Sequence, residues 1–414
     1  MEGRGGDVSI SSQNASLTKR WMHFWAGYAI INAHPSVSLN SGVYIFNYYS
    51  KIKETLLMAE KRVTYSQQVD RKNIMLLRDV LATLPEYVRD YFRSIDASSQ
   101  TRTRISYAYD LRVFFEFLKS QNPLYKNYDL RDFTLEDLDR VNARDIEEYM
   151  EYLKLYNSPE ERGTASGLNS NGQLGIKRKL SALRSFYGYL FRNQMIKTNP
   201  TVLVEMPKIH ERTIVRLDAD EVAILLDYVE NCGQTLTGKA LAYYNKTRER
   251  DIALMTLLLG TGIRVSECVG LDIEDIDFRN NGIRIIRKGG NEAVVYFGDE
   301  VEKALLDYLE VRKGIQPCLG HEHALFYSTQ RRRMTVRSVE NLVEKYASQV
   351  TIKKITPHKL RSTYGTALYR ETGDIYLVAD VLGHKDVNTT RRHYAAMDDE
   401  RRRKAAGAVR LRED

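Results

Sequence analysis

Apolar residues recur at helical spacing along most of the chain. From Lys72 to Ile95 the series Ile74, Leu77, Val80, Leu81 and Leu84 marks one helix face, and Pro85 breaks it. The run Thr103–Leu118 predicts an amphipathic helix with Tyr107, Leu111, Phe114, Phe115 and Leu118 on one side. Thr134-Leu-Glu-Asp and Asn142-Ala-Arg-Asp read as helix starts, in which a polar side chain caps free backbone N–H groups; the second of them opens a helix over Asn142–Tyr156. A Ser-, Asn- and Gly-rich loop over Asn157–Gly172 leads into a helix over Gln173–Asn193. Together these describe an all-helical domain of four or five helices.

Asn199-Pro200 to Arg212 reads as a linker, and a second domain follows. Helical patterns cover Asp218–Val229 and Arg248–Leu259, and Gly260-Thr-Gly262 stops the second. The period then changes. Three short β-like runs over Ile273–Phe297 are separated by Asn280-Asn-Gly282 and Gly289-Gly-Asn291, which predicts a small antiparallel sheet. Helices resume over Asp299–Lys313, Val336–Ser348, His358–Thr372, Ile375–Leu382 and Thr389–Tyr394. The fold class expected is mainly α with a small antiparallel β-sheet.

Composition narrows the function. A length of 414 residues suits two or three domains, and 43% hydrophobic residues suffice for real cores. Lysine and arginine total 62 against 54 acidic residues, a formal net charge of +8, which favours a polyanionic partner. Cys232, Cys268 and Cys318 form no CxxC pair, so neither a zinc site nor a disulfide framework is indicated, and a reducing cytoplasm fits. Lys19-Arg20 before Trp21–Ala33 mimics a signal peptide, but His23 and Asn32 interrupt the apolar run and it falls short of the roughly 20 residues of a spanning helix. Residues 1–57 are Gly- and Ser-rich at their start and lack a sustained helical period. They read either as an arm or, preferred here, as upstream sequence from a start codon placed too early, with Met58 as the true opening.

The candidate chemistry concentrates in Ile355–Tyr394, which holds two histidines, paired basic residues and a tyrosine between glycine-punctuated segments. His358 and Arg361 lie three apart and so share a helix side. His384 follows Gly383 at the end of the apolar run. Two stretches further upstream complete the set, Gly260-Thr-Gly-Ile-Arg264-Val-Ser-Glu267 and Arg287-Lys288-Gly-Gly-Asn. Singly, each has a plain reading: Arg264 as a helix-end residue, Lys288 as a hairpin lysine, His358 as a first-turn residue, His384 as a satisfied histidine.

In this order and at these distances, they resemble the tyrosine site-specific recombinases, the phage-type integrase family of Xer, Cre and lambda integrase. The resemblance covers roughly residues 95–410. It implies that Arg264 and Arg361 grip the oxygens of one phosphodiester, and that His358 helps handle the nucleophile's proton. It further implies that Lys288 protonates the departing 5′-hydroxyl, that His384 hydrogen-bonds the phosphate and that Tyr394 is the nucleophile. A 3′-phosphotyrosine keeps the energy of the broken bond, so neither ATP nor metal is required and no cofactor is expected. The sequence has neither a GK[ST] phosphate loop nor a carboxylate metal cluster. Glu267, one turn after Arg264, is a candidate to orient that arginine.

One departure stands out. Family members place the nucleophile nine residues after the second histidine, where this chain has His393; Tyr394 is ten after. An inserted residue moves a helical side chain by about 100°. Tyr364, Tyr369 and Tyr376 are other nearby phenols and read as core or rim.

For DNA contact the expected residues are Lys177, Arg178, Lys179 and Arg184 on one helix and Arg102 and Arg104 at an earlier helix start; Arg331-Arg-Arg333 is a further loop candidate. The division expected is an extension at 1–57, a helical lead-in at 58–95, a helical, SAM-like core-binding domain at 96–198, a linker at 199–212, a catalytic domain at 213–396 and a tail at 397–414. In the family such a tail docks on a neighbouring protomer. The partners implied are double-stranded DNA with paired inverted half-sites and a homotetramer, or a heterotetramer with a paralogue, without a membrane. A relaxing enzyme like the type IB topoisomerases, and a DNA-binding protein without catalysis, are the alternatives.

Overall fold

The computed structural model describes residues 64–157, 168–209, 215–287, 290–384 and 387. Two compact units divide the chain, Met1–Gln68 and Val69–Asp414, and nearly all described residues belong to the second. The expected extension at 1–57, the helix at Thr389–Tyr394 and the tail at 397–414 lie outside the described residues, as do Lys288 and Tyr394 themselves.

Helices α1 (Tyr65–Leu81), α2 (Glu86–Ser94), α3 (Thr101–Gln121), α4 (Leu135–Asp139), α5 (Ala143–Tyr152) and α6 (Gln173–Arg192) share one hydrophobic core. Pro85 separates the first two, as the sequence predicts. The face read from α3 is inward: Leu111, Phe114, Phe115 and Leu118 are buried, with Ile105 and Ala108 beside them. Both predicted caps form. Thr134 Oγ1 accepts from Asp137 N–H at 3.3 Å while the Asp137 carboxylate accepts from Thr134 N–H at 2.9 Å. Asn142 Oδ1 accepts from the N–H groups of Arg144 and Asp145. Such caps stabilise a helix start by about 1 kcal/mol.

Two details differ from the pattern. Helix α5 stops at Tyr152, and Tyr156-Asn157 (β1) pairs antiparallel with Leu168-Asn169 (β2) at the mouth of the expected loop. The first residues of the expected linker pack on this core. Val204 is 5% exposed, and Arg184 donates to the carbonyls of Thr201 and Val204.

Beyond the linker come α7 (Ala219–Asn231), α8 (Gly238–Thr261), α9 (Val265–Gly270), α10 (Asp299–Lys313), α11 (Val336–Ala347), α12 (Pro357–Thr372) and α13 (Ile375–Leu382). Helix α8 starts ten residues before the segment predicted from periodicity, because its first turns are largely solvent-facing and carry no apolar repeat. Its second half is buried on all sides, from Arg250 through Leu259, and packs against α10 and α12. The expected sheet forms from Ile276–Asp277 (β3), Gly282–Ile286 (β4) and Glu292–Tyr296 (β5), antiparallel in the order β3-β4-β5. In β4 the inward residues Ile283 and Ile285 alternate with outward Arg284 and Ile286. Among the described residues no helix is long and apolar enough to cross a membrane.

Candidate active site: three arginines on one helix end

Helix α13 is short, and its last carbonyls have no partners within the helix. It ends in a left-handed Gly383 (φ 60°), where His384 N–H bonds to Ala379 O and Gly383 N–H to Asp380 O, both at 2.8 Å. That pattern is a Schellman cap, and glycine adopts its positive φ without the steric cost of a Cβ. The four carbonyls from Asp380 to Gly383 are then collected by guanidiniums from three other elements. Arg287, at the end of β4, donates to Asp380 O (2.8 Å) and Val381 O (2.9 Å). Arg361, on α12, donates to Leu382 O. Arg264 donates to Gly383 O at 3.1 Å. Cations at a helix carboxy end also meet the negative pole of its dipole.

Arg361 ties a second helix end into the same point, because its Nη1 donates to Gly262 O at 2.5 Å. Gly262 is the left-handed cap of α8 (φ 62°), and a Cβ there would lie 2.3 Å from the Tyr364 ring. Arg361 is therefore buried, at 5% exposed, and fixed on two sides. Arg264 sits at the N-cap of α9, and Glu267 clamps it twice: its carboxylate accepts from Arg264 N–H and from Nη1, each at 2.7 Å. The Glu267 side chain is 4% exposed and the Arg264 side chain 32%, so the arginine is held from beneath and open above. The orienting role anticipated for Glu267 is what the geometry shows.

His358 lies in the first turn of α12, begun by Pro357, one turn before Arg361 and exposed. His384 follows the Schellman glycine directly and is half-buried. Four of the six candidate residues are thus on described elements, and Arg264, Arg361 and His384 meet at the α13 end. Lys288 and Gly289 are not described, but the residues that flank the pair are: Arg287 N–H donates to Asn291 O (2.8 Å), and Gly290 N–H donates to Arg287 O (3.0 Å). Tyr369 is buried in a small cluster with Val378 and Leu382, burial pushes the Tyr364 phenol up, and Tyr376 is exposed. These are the core and rim positions expected of them.

The basic residues expected to contact DNA separate by environment. Lys179 is 6% exposed and forms an ion pair with Asp110 at 3.0 Å; Arg178, half exposed, pairs with the same carboxylate. Arg184 holds linker carbonyls, as described above, and Arg104 pairs with Asp96. Arg102 is exposed and Lys177 half-buried at the surface. In the 331–333 loop, Arg333 is anchored on Val269 O, Leu271 O and Asp272, whereas Arg331 and Arg332 face solvent.

Comparison with known proteins places these observations. Residues 215–401 match the model of the phage integrase family. The chain is 33% identical over 325 residues to the tyrosine recombinase XerC of Caldanaerobacter subterraneus, covering 76% of this chain and 83% of the relative. It is 32% identical over 344 residues to the tyrosine recombinase XerS of Streptococcus pyogenes, covering 78% and 94%. The chain belongs to the tyrosine recombinases, the integrase class of site-specific DNA recombinases. Solved structures share the fold. One is the Tn1549 transposon integrase in complex with circular intermediate DNA (TM-score 0.52, 21% identity, covering 73% of this chain and 93% of that one). Another is the XerH site-specific recombinase bound to its difH substrate (TM-score 0.51, 22% identity, 74% and 78%).

Proposed function

We propose that this recombinase binds double-stranded DNA at paired inverted half-sites and cleaves one strand through Tyr394. The two regions, a helical core-binding domain at 96–198 and a catalytic domain at 213–396, close as a clamp on the duplex. Arg264 and Arg361 hold the non-bridging oxygens of the scissile phosphodiester and offset charge as the pentavalent transition state forms. The Tyr394 oxygen attacks phosphorus, and His358 helps take up its proton. The bond from phosphorus to the 5′ oxygen breaks, and that oxygen receives a proton from the Lys288 ammonium. His384 hydrogen-bonds the phosphate. One phosphoester is lost and one, to tyrosine, is gained, so the reverse attack by a 5′-hydroxyl of the partner duplex rejoins the strands without ATP. Repeated on the second strand pair, this passes through a Holliday junction.

The carrying observation is that Arg264 and Arg361, from separate elements, grip the consecutive carbonyls of Gly383 and Leu382 directly before His384. A phosphate beside that point meets both guanidiniums with their positions already set. The tetramer on two sites, the tail as its link, the cytoplasmic location, and DNA contact through Arg102, Arg104, Lys177, Arg178, Lys179 and Arg184 complete the proposal. Exposure favours Arg102, Lys177 and Arg178 for phosphate contact, while Lys179 and Arg184 also hold the fold.

The test compares two plasmids, one carrying two copies of an inverted-repeat site selected with this protein from randomised DNA, the other carrying none. Recombination of the first with no relaxation of the second is expected. Relaxation of the site-free plasmid without recombination would instead make the protein a topoisomerase-like relaxing enzyme, and binding without either would make it a non-catalytic DNA-binding protein.

A further inference from the structure

Arg287 is the third guanidinium on the α13 end, and neither the phosphate clamp nor the proton handling described above uses it. Its backbone closes the β4–β5 turn on both sides: Arg287 N–H donates to Asn291 O, and its carbonyl accepts from Gly290 N–H, where Gly290 holds a left-handed φ of 84°. Its side chain reaches across to two successive carbonyls, Asp380 O and Val381 O. The approach is close. A Cβ on Gly383 would stand 2.3 Å from Arg287 Nη1, so the glycine leaves room for the guanidinium as well as permitting the helix cap.

A short hairpin has little stability of its own, and this one is packed from one side only. Ile283, Ile285 and Val295 face the core, while Val294 and Tyr296 on the outer face are 54% and 67% exposed. A fixed tether at the base of its turn therefore decides where the tip stands. The fork of a guanidinium suits two neighbouring carbonyls in a way that a lysine's single ammonium does not.

We infer that Arg287 is a positioning residue: it latches the turn carrying residue 288 to the helix end that precedes His384, and so fixes the proton donor relative to the phosphate clamp. This rests on the reading of Lys288 as the acid for the departing 5′ oxygen. A displacement of about 1 Å at a reacting group costs on the order of 10²-fold in rate.

The test uses the full chain and a duplex bearing the selected inverted-repeat site, made with either oxygen or sulfur at the bridging 5′ position of the scissile phosphate. An alkoxide needs a proton to leave, whereas a thiolate, with a thiol pKa of about 8.5, leaves without one. In single-turnover cleavage Arg287→Gln is expected to slow the oxygen substrate about 100-fold and to cleave the sulfur substrate within about threefold of the parent. Arg287→Lys should recover part of the loss on oxygen. Lys288→Ala, run alongside, should show the same rescue by sulfur. Equal losses of Arg287→Gln on both substrates, or no loss on oxygen, would overturn the inference while rescue of Lys288→Ala leaves the general-acid reading standing. Failure of sulfur to rescue Lys288→Ala would remove that reading and the inference with it. Thermal melting and DNA affinity of Arg287→Gln, unchanged from the parent, separate misplacement from misfolding.

Discussion

Lys179 and Arg361 are buried to nearly the same degree, 6% and 5% exposed, and they hold different kinds of partner. In the helical region Lys179 and Arg178 converge on the Asp110 carboxylate, itself 2% exposed. Burial pushes the Asp110 carboxyl up, against the pull of the two cations, which marks the desolvation cost of that arrangement. In the catalytic region Arg361 and Arg287 are aimed by backbone carbonyls, and Arg264 by the Gly383 carbonyl together with the Glu267 carboxylate. A carboxylate orients a cation and cancels its charge. A carbonyl orients it without bringing a formal charge of its own. The first arrangement ties two helices of a core together, and the second gathers cations at one helix end.

The comparison predicts opposite phenotypes. Arg361→Ala should lower single-turnover DNA cleavage by about 10³-fold, the loss typical of one preorganised donor to a transition-state oxygen. DNA affinity should fall far less, as measured by equilibrium binding of the same duplex. Asp110→Ala should leave two cations without their shared carboxylate and destabilise the protein by about 3–5 kcal/mol in urea unfolding, Lys179 being the buried one. Pairing Asp110→Asn with Lys179→Met, which removes both charges at similar volume, should return most of that stability. A pair of outcomes in which Arg361→Ala unfolds the protein and Asp110→Ala only slows cleavage would reverse the comparison.

Smaller effects sharpen it. Lys177→Ala and Arg102→Ala should each reduce the slope of log affinity against log salt concentration by about 1, without change in melting temperature. Lys179→Ala should lower the melting temperature instead. At the weak end, Glu221 is held below the ordinary glutamate range by Lys353, whose ammonium donates to it at 2.5 Å, with the Asp218 N–H also bonding to it. A depressed folded-state pKa gives stability that is present above the ordinary glutamate range and lost as pH falls on through the lower folded-state pKa. Glu221→Gln should therefore lower the melting temperature at neutral pH by about 1 °C, and the gap should close on acidification or in high salt.

How much of this could be read from the sequence depends on where the partners lie. Arg264, His358, Arg361 and His384 stand in short motifs whose glycines and proline mark helix ends, so their positions were legible. The helix boundaries were legible where caps or Pro85 set them, and were missed at the start of α8, where exposed turns carry no apolar period. The task of Arg287 was not legible, because its partners are carbonyls 93 and 94 residues away and every residue type offers the same carbonyl. The same holds for Lys179. A run of lysines and arginines reads as a surface stripe until Asp110, 69 residues earlier in sequence, is seen beneath it. The DNA-facing expectation for that helix was a reading of charge, and burial is what sorts its members.

The central claim is that the clustered arginines serve a phosphate attacked by Tyr394, one position beyond the family's usual spacing. It is tested most directly by trapping the full-length protein on a nicked suicide duplex, digesting the adduct, and locating the nucleotide by mass spectrometry. The account predicts a 3′-phosphodiester on Tyr394, absent after Tyr394→Phe and present after His393→Ala. An adduct on His393, or one that survives Tyr394→Phe, would contradict it.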